Sequence, residues 1–184
     1  LLFSDKMLKE NSDCIAVVNT DDPYGDRLVS MAPGRRVYRY GKGEKADLRF
    51  ALVETRLDGT DINLTVAGGQ SFLVKSPLIG EHNAYNLVGC LGVLYGLGLD
   101  MKKASASFKD FPGVPGRMQK IISQNGKYGF VDYAHTPDAL EKAISSVQPL
   151  VPKGNKLITV FGCGGDRDRG KRSIMGELAA RMSQ

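Results

Sequence analysis

"VDYAHTPDAL", residues 131–140, stands between two apolar runs and decides how the second half of the chain is interpreted. Thr136 followed by Pro137 predicts a helix start, because threonine caps helices and proline is tolerated at the first helical position. In a parallel α/β sheet, ligands bind beyond the carboxyl ends of the strands, where Asp132, Tyr133 and His135 would lie. These side chains either hold a ligand at the helix start, or Asp132 and His135 only cap the helix and satisfy the loop backbone.

The rest of the second half alternates predicted strands and helices. Asn125-Gly126, between two short apolar runs, predicts a β-hairpin. The helix after Thr136 should bury one apolar face, formed by Leu140, Ile144 and Val147. "KLITVFG", residues 156–162, is predicted as a second buried strand, and residues 173–182 as a second helix. Strand–helix–strand–helix order predicts a parallel sheet with right-handed crossovers.

The first half begins with a short apolar run, residues 14–19, that is typical of a buried parallel strand. Alternating apolar residues then predict a small antiparallel sheet within residues 35–75, with Gly68-Gly69 as its hairpin connection. Helices are predicted at four places: 3–11, 26–32, 84–97 and 101–110.

The segment "DFPGVPGR", residues 110–117, is the predicted linker, because prolines and glycines interrupt every periodic pattern there. It divides the chain into a predicted domain of residues 1–116 and a second of residues 117–184. Arg117 falls at this junction. Its guanidinium either contacts a base or a phosphate or forms an interdomain salt bridge.

Composition leaves the class of partner open. With 184 residues and 42% hydrophobic content, the chain can bury a core, and no apolar stretch is long enough to span a bilayer. Three widely spaced cysteines favour a reduced, cytoplasmic protein over a disulfide or zinc framework. The formal charge of +5 fits a phosphate-bearing metabolite as well as a nucleic-acid surface. No signal peptide opens the chain. Because the first residue is Leu1 rather than methionine and the last, Gln184, falls in a predicted helical stretch, we expect a fragment of a longer polypeptide.

In "FGCGGDRDRGKR", residues 161–172, an apolar run ends in glycines and then in a dense charge run. Gly165 through Lys171 matches the G-x-x-x-x-G-K pattern of a phosphate-binding loop. Arg172, however, occupies the position where serine or threonine must bind magnesium, so we reject that interpretation. The segment is either a carboxylate-binding loop, since arginine pairs with carboxylates, or a solvated charged loop.

"GEHNAYNL", residues 80–87, places Asn83 and Asn86 three residues apart at a predicted helix start. Paired amides suit a purine edge, because each offers a hydrogen-bond donor and an acceptor. The alternative is one helix cap and one surface asparagine. His82 is interpreted as a turn residue, since no acid or cysteine stands at metal-ligand spacing.

Taken together, these stretches resemble the Mur ligases over nearly the whole chain. The resemblance rests on "NTDDPYG", "GEHNAYNL", "PGRM", "VDYAHTPDALEKAI" and "VFGCGGDRDRGKRSIMG". It implies an α/β fold: the latter part of an ATP-binding central domain with a small antiparallel sheet, followed by the first part of a Rossmann-like C-terminal domain. Ser173 departs from the family, which usually has proline there.

The resemblance implies an ATP-dependent, Mg²⁺-requiring ligase of bacterial peptidoglycan synthesis, located in the cytoplasm. The implied reaction adds meso-diaminopimelate or L-lysine to a UDP-N-acetylmuramoyl-dipeptide, and "GGDRDRGKR" is more similar to the group that adds meso-diaminopimelate. It implies no nucleic-acid partner, no membrane insertion and no metal ligand in this chain. The implied ATP contacts are Asn83, Asn86, Arg117, Asp132 and His135, and the implied amino-acid contacts are Arg167, Lys171 and Arg172.

The family's phosphate loop, carbamoylated lysine and UDP-binding domain are expected outside this sequence. No catalytic residue is therefore predicted here, and we expect the 184 residues alone to be inactive. Two alternatives stay open. One is a related ligase of cyanophycin or folylpolyglutamate synthesis, and the other is a non-enzymatic module that binds a nucleotide or nucleic acid.

Overall fold

The computed structural model describes residues 14–164 and 168–183, so the helix predicted at residues 3–11 lies outside the described residues. The chain divides into two compact units. Unit 1 comprises the described part of Leu1–Glu54 with Thr60–Ser76 and Glu81–Phe111, and unit 2 comprises Thr55–Gly59, Pro77–Gly80 and the described residues from Pro112 onward. Among the described helices, none has the length and apolar character needed to cross a membrane.

A five-stranded sheet in the order β1-β2-β3-β4-β5 forms the framework of unit 1. β1 pairs in parallel with β2, and β2 pairs in parallel with β3, whereas β4 and β5 are antiparallel. The strands contribute buried apolar side chains to the core, and Leu48 and Leu64 have no exposed surface. The strand bounds are β1 Ile15–Asn19, β2 Arg36–Gly41, β3 Leu48–Arg56, β4 Gly59–Val66 and β5 Ser71–Ser76.

Three helices complete unit 1: α1 Gly25–Ser30, α2 Glu81–Gly96 and α3 Met101–Ser107. The α3 helix is capped by Asp100, whose side chain accepts hydrogen bonds from two backbone N–H groups, and a 3₁₀ turn follows it at Phe108–Asp110. The long helix α2 packs against β1 and β2.

Glycines on α2 allow this close helix–sheet packing. A Cβ added at Gly92 would lie 2.7 Å from Val17 Cγ1, and one at Gly96 would lie 2.8 Å from the ring of Tyr38. Gly89 faces the ring of Tyr40 in the same way, at 3.2 Å from its hydroxyl. Glycine is unfavourable inside a helix, so its presence three times on one face is explained by the short distance to the sheet.

We expect Gly92→Ala to destabilise the chain by about 1 to 2 kcal/mol, because overpacking against the stiff Val17 side chain exceeds the gain in helix propensity. The matched control is Gly176→Ala, also inside a helix but with open space around the added methyl group. It should stabilise the chain by about 0.5 to 1 kcal/mol. Denaturant unfolding of both variants measures the effects, and equal gains from both would contradict this account of the packing.

Unit 2 contains a two-stranded antiparallel sheet and two helices. Its elements are β6 Gln119–Ile122, β7 Tyr128–Val131, α4 Pro137–Val147 and α5 Lys171–Met182, with a 3₁₀ turn at Gln148–Leu150. The predicted hairpin is confirmed, with Gly126 at a φ of 77° in the connection. The predicted cap is also confirmed, since Thr136 Oγ1 accepts from the backbone N–H of Ala139 at 3.3 Å.

Two apolar clusters form the core of unit 2. Helix α4 contributes its predicted buried face, and α4 and α5 pack together. One cluster joins Leu140 and Ile144 to Met175, which is fully buried. The other consists of Ile79, Met118 and Val147. The periodicity of the α4 sequence thus predicted which face of the helix is buried.

Two predictions of strand pairing differ from the structure, although the α/β fold class is confirmed. Within residues 35–75, β2 lies parallel to its neighbours, and the antiparallel β4–β5 pair belongs to the same five-stranded sheet. Residues 156–162 form no strand, and Ile158 and Val160 are 74% and 92% exposed. An apolar run forms a strand only where a neighbouring strand completes its hydrogen bonds, and no described strand of unit 2 lies beside this one.

Candidate functional site

The paired amides lie in the first turns of α2, which begins at Glu81, three residues before the predicted start. Asn86 Nδ2 lies 3.5 Å from Asn83 Oδ1, so both amides share one side of the helix. Asn86 is exposed and Asn83 is half-buried. His82, which was interpreted as a turn residue, lies inside the helix instead. The two amides therefore form one polar patch in unit 1.

A second polar cluster in unit 1 was missed by the sequence analysis. The Tyr85 hydroxyl donates to Asp21 Oδ2 at 2.8 Å. Burial raises the pKa of the Asp21 carboxyl, but hydrogen bonds from the Lys42 backbone and from Tyr85 outweigh it, so the net pKa lies below the ordinary value. Burial and the nearby Asp21 carboxylate raise the pKa of Tyr85. Both shifts favour a charged acceptor and a protonated donor at neutral pH.

In unit 2, Asp132 anchors the loop between β7 and α4. Its Oδ2 accepts from the backbone N–H of Met118 at 2.9 Å, and its Oδ1 accepts from the backbone N–H of Ala134 at 2.8 Å. These contacts correspond to the backbone-satisfying alternative considered for this residue. They also leave acceptor capacity on the carboxylate, which can take about four hydrogen bonds in all.

Arg117 lies directly after a tight turn in the predicted linker. The Arg117 N–H donates to the carbonyl of Val114 at 3.0 Å, with Pro115 and Gly116 between them and Gly116 at a φ of 70°. Proline followed by a glycine with positive φ is the pattern of a type II turn. The Arg117 guanidinium lies 5.8 Å from the centre of the Tyr133 ring, within the range of a cation–π contact.

The ring of Tyr133 occupies the space that a side chain at position 116 would need, since a Cβ there would lie 2.6 Å from Tyr133 Cδ2. The backbone is tied at the same point, because the Tyr133 N–H donates to the Gly116 carbonyl at 2.9 Å. The sequence placed Tyr133 beside Asp132 and His135 but did not predict that its ring packs against Gly116. The prolines and glycines of residues 110–117 predicted a linker and carried no signal for this contact.

His135 and Lys171 also come together in unit 2. His135 Nδ1 lies 2.9 Å from the Tyr133 carbonyl oxygen, a contact that requires a proton on Nδ1. Lys171, at the start of α5, donates from Nζ to the His135 carbonyl at 3.2 Å. The structure therefore joins Arg117, Asp132, His135 and Lys171 through one loop.

The remaining predicted residues are placed as follows. Arg172 is exposed in the first turn of α5, and its N–H donates to the Arg169 carbonyl at 3.2 Å. Ser173 lies in the same turn, where its hydroxyl donates to the Gly170 carbonyl at 3.2 Å. Arg167 lies outside the described residues. Within residues 14–164 and 168–183, no group of three or more histidine, cysteine or acidic side chains could hold a metal ion.

Comparison with known proteins finds a family match for each half of the chain. Residues 2–94 match the family model of the Mur ligase middle domain, and residues 116–184 match that of the Mur ligase, glutamate ligase domain. The chain therefore belongs to the Mur ligase family, which confirms the resemblance and the fold class predicted from its motifs.

Individual relatives show which kind of Mur ligase this chain is similar to. The UDP-N-acetylmuramoyl-L-alanyl-D-glutamate–2,6-diaminopimelate ligase of Synechococcus elongatus is 41% identical over 170 residues, covering 91% of this chain and 33% of the relative. The ligase of the same name from Trichormus variabilis is 40% identical over 187 residues, covering 100% of this chain and 36% of the relative. A solved structure of a ligase of this name has a TM-score of 0.73 at 37% identity, covering 97% of this chain and 37% of the other. The chain thus spans about a third of these relatives' length.

Proposed function

We propose that this chain is part of an ATP-dependent ligase that adds meso-diaminopimelate to UDP-N-acetylmuramoyl-L-alanyl-D-glutamate, in the cytoplasm of a bacterium building peptidoglycan. The observation that carries the proposal is the likeness to diaminopimelate ligases, at 41% identity over 91% of the chain. The motif "GGDRDRGKR" supports diaminopimelate over L-lysine, because the resemblance is greater to the diaminopimelate-adding group.

The proposed chemistry has two steps. A carboxylate oxygen of the UDP-linked dipeptide bonds to the γ-phosphorus of ATP, whose bond to ADP breaks, and an acyl phosphate forms. The amine nitrogen of diaminopimelate then attacks the acyl carbon, phosphate leaves from the tetrahedral intermediate, and the amine loses a proton. None of the described residues is assigned to these bond changes. Their proposed role is to bind and orient the two small substrates.

For the nucleotide, we assign Asn83 and Asn86 to the adenine edge, since each amide supplies one donor group and one acceptor. Asp132 would accept hydrogen bonds from the ribose hydroxyls, because its contacts with the N–H groups of Met118 and Ala134 leave part of its acceptor capacity unused. Arg117 would lie against the nucleotide, and His135 would shape the same pocket. These groups belong to the proposed central domain, residues 1–116, and C-terminal domain, residues 117–184.

For the incoming amino acid, we assign Arg167 to a carboxylate of diaminopimelate, with Lys171 and Arg172 as supports. The support for Lys171 is its position beside the His135 carbonyl, which connects the two proposed subsites. Mg²⁺ would accompany ATP. We assign no described residue to this ion, since no cluster of potential ligands occurs among them.

The experiment is a substrate panel on the full-length ligase that contains this chain. ATP, Mg²⁺ and the UDP-linked dipeptide are supplied with meso-diaminopimelate, L-lysine or L-glutamate, and product mass and phosphate release are measured. We expect kcat/KM for diaminopimelate to exceed that for lysine by at least about 100-fold. Lysine lacks the second carboxylate of diaminopimelate, so the cationic side chain that binds this carboxylate would be left unpaired.

The control omits the UDP-linked dipeptide and should release no amino-acid-dependent phosphate. Equal turnover of lysine would contradict the assignment of the amino acid. Ligation of glutamate to a folate acceptor, with none to the UDP-linked dipeptide, would contradict the proposed ligase class and favour the related synthases.

A further inference from the structure

We propose that Asp21 is a positioning residue for the paired amides of α2. Its carboxylate holds Tyr85, in the first turns of that helix, against the backbone that follows β2, and so sets how Asn83 and Asn86 meet a purine base. This inference rests on the proposed function, in which these amides bind adenine. Asp21 would act through Tyr85, without touching the nucleotide.

The Asp21 carboxylate collects donors from two separate elements of unit 1. Besides the Tyr85 hydroxyl at 2.8 Å, it accepts from the backbone N–H of Lys42 at 2.6 Å and from that of Gly43 at 3.4 Å. Hydrogen bonds to a charged acceptor are stronger than those between neutral groups. The carboxylate therefore connects the loop after β2 to α2.

Asp21 is itself held at the end of the sheet. Its backbone N–H donates to the side chain of Asn19, the last residue of β1, at 3.0 Å. The next residue, Thr20, donates from its N–H to the Tyr40 carbonyl at 3.0 Å, which extends the parallel β1–β2 pairing by one hydrogen bond. The contact that holds α2 thus starts directly beyond the parallel β1–β2 pair.

A second set of contacts also holds the first turns of α2. Lys42 forms an ion pair with Glu81, the first residue of the helix, and its ammonium lies 5.9 Å from the centre of the Tyr85 ring. The Tyr85 ring packs edge-on against Phe50, with ring centres 4.9 Å apart. These contacts involve the Tyr85 ring and not its hydroxyl. A Tyr85→Phe variant therefore tests the hydrogen bond separately from the packing.

Tyr85 and the two amides lie on different sides of α2. Successive helical residues are about 100° apart, so Tyr85 points to a different side of α2 from Asn83 and from Asn86. A small rotation of the first turns, released by loss of the Asp21 contact, would move both amides together. The expected consequence is poorer discrimination between bases, because hydrogen-bond readout depends on direction.

The glycine at position 41 leaves room for the Asp21 carboxylate. A Cβ at Gly41 would lie 2.6 Å from Asp21 Oδ1, whereas one at Gly43 would lie 3.6 Å away, an ordinary contact distance. Glycine at position 41 is therefore needed for the carboxylate to reach the backbone N–H groups of residues 42 and 43. The lowered pKa of Asp21 keeps the acceptor charged at neutral pH.

The test compares Asp21→Asn and Tyr85→Phe in the full-length ligase, with Asp22→Asn as the matched control. Asp22 is the neighbouring exposed acid, and its carboxylate accepts from the Tyr24 N–H, away from α2. For both test variants we expect the KM for ATP to rise about tenfold and the ratio of kcat/KM for ATP over GTP to fall about tenfold. The KM for the UDP-linked dipeptide and the values for Asp22→Asn should stay unchanged.

A lower melting temperature with unchanged KM and unchanged ATP/GTP ratio in both variants would overturn the positioning role, since that pattern indicates a structural contact alone. Asn86→Ala distinguishes this failure from failure of the proposed function. If Asn86→Ala raises the KM for ATP while Asp21→Asn and Tyr85→Phe do not, only the positioning role is wrong. If Asn86→Ala also has no effect, the adenine site itself is wrong, and the positioning role falls with it.

Discussion

We expect Arg167→Ala in the full-length ligase to raise the KM for meso-diaminopimelate by about 100-fold and to leave the KM for ATP within about twofold. The physical reason is the loss of the proposed pairing between the guanidinium and a substrate carboxylate, in which charge-assisted hydrogen bonds would be removed. Arg167 lies outside the described residues, so this expectation rests on its place in "GCGGDRDRGKR" and on the family resemblance. Steady-state kinetics with each substrate varied in turn measures it.

Two further variants make the result specific. Arg167→Lys keeps the charge but lacks the planar fork, so it should recover only part of the affinity for diaminopimelate. Arg181→Ala removes the same charge from the surface of α5, where its guanidinium lies 3.9 Å from the Glu141 carboxylate, and should change neither KM. Equal increases in both KM values for Arg167→Ala would contradict an amino-acid subsite.

A nucleic-acid-binding module would respond differently to the same substitution. Loss of one phosphate contact weakens binding to all sequences alike and flattens the dependence of affinity on salt concentration. Binding of a labelled duplex at several salt concentrations, with wild type and Arg167→Ala, separates this class of protein from a ligase.

Features that depend on neighbouring residues in the chain were predicted well from the sequence. The Asn125-Gly126 hairpin and the Thr136 cap each involve contacts within a few residues, and both are present. The buried face of α4 follows from periodicity alone. Such features need no knowledge of the distant parts of the chain, which explains why they could be found.

Strand pairing depends on distant partners, and there the predictions were weaker. Residues 36–41 lie in a region of alternating residues, but this alternation does not say whether the partner is parallel or antiparallel. β2 pairs in parallel with β1, across the intervening α1. Likewise, the apolar character of residues 156–162 indicated a tendency to be buried, and in unit 2 no described strand pairs with them.

Some residues of the candidate site could likewise be predicted from the sequence, and others could not. Asp132, His135 and the amide pair carry recognisable side-chain chemistry, so sequence could nominate them, although their roles stay proposals. The Asp21 cluster could not be found, because its donors include backbone N–H groups and a tyrosine 64 residues away. The glycines of α2 carried a usable signal. Their spacing of three and four residues on one helix predicts a face that packs closely against another element.

The second large effect concerns the nucleotide. Asn86→Ala and Asp132→Asn should each weaken ATP binding to the full-length ligase by at least about tenfold, because each removes proposed hydrogen bonds to the nucleotide. Calorimetric titration with a non-hydrolysable ATP analogue measures both dissociation constants. The matched controls are Asn63→Ala, an exposed amide on β4, and Asp138→Asn, an exposed acid paired with Lys142, and both should bind as the wild type does.

The central proposal is that the amide pair of α2 and the Asp132 loop each contact ATP in the full-length ligase. Photolabelling of the full-length ligase with an azido-adenine analogue of ATP, followed by mass spectrometry, tests it most directly. We predict labelled peptides from both residues 81–96 and residues 131–147, with labelling at both reduced in Asn86→Ala and in competition with ATP. Label confined to one of these segments, and unchanged by substitution in the other, would contradict the claim.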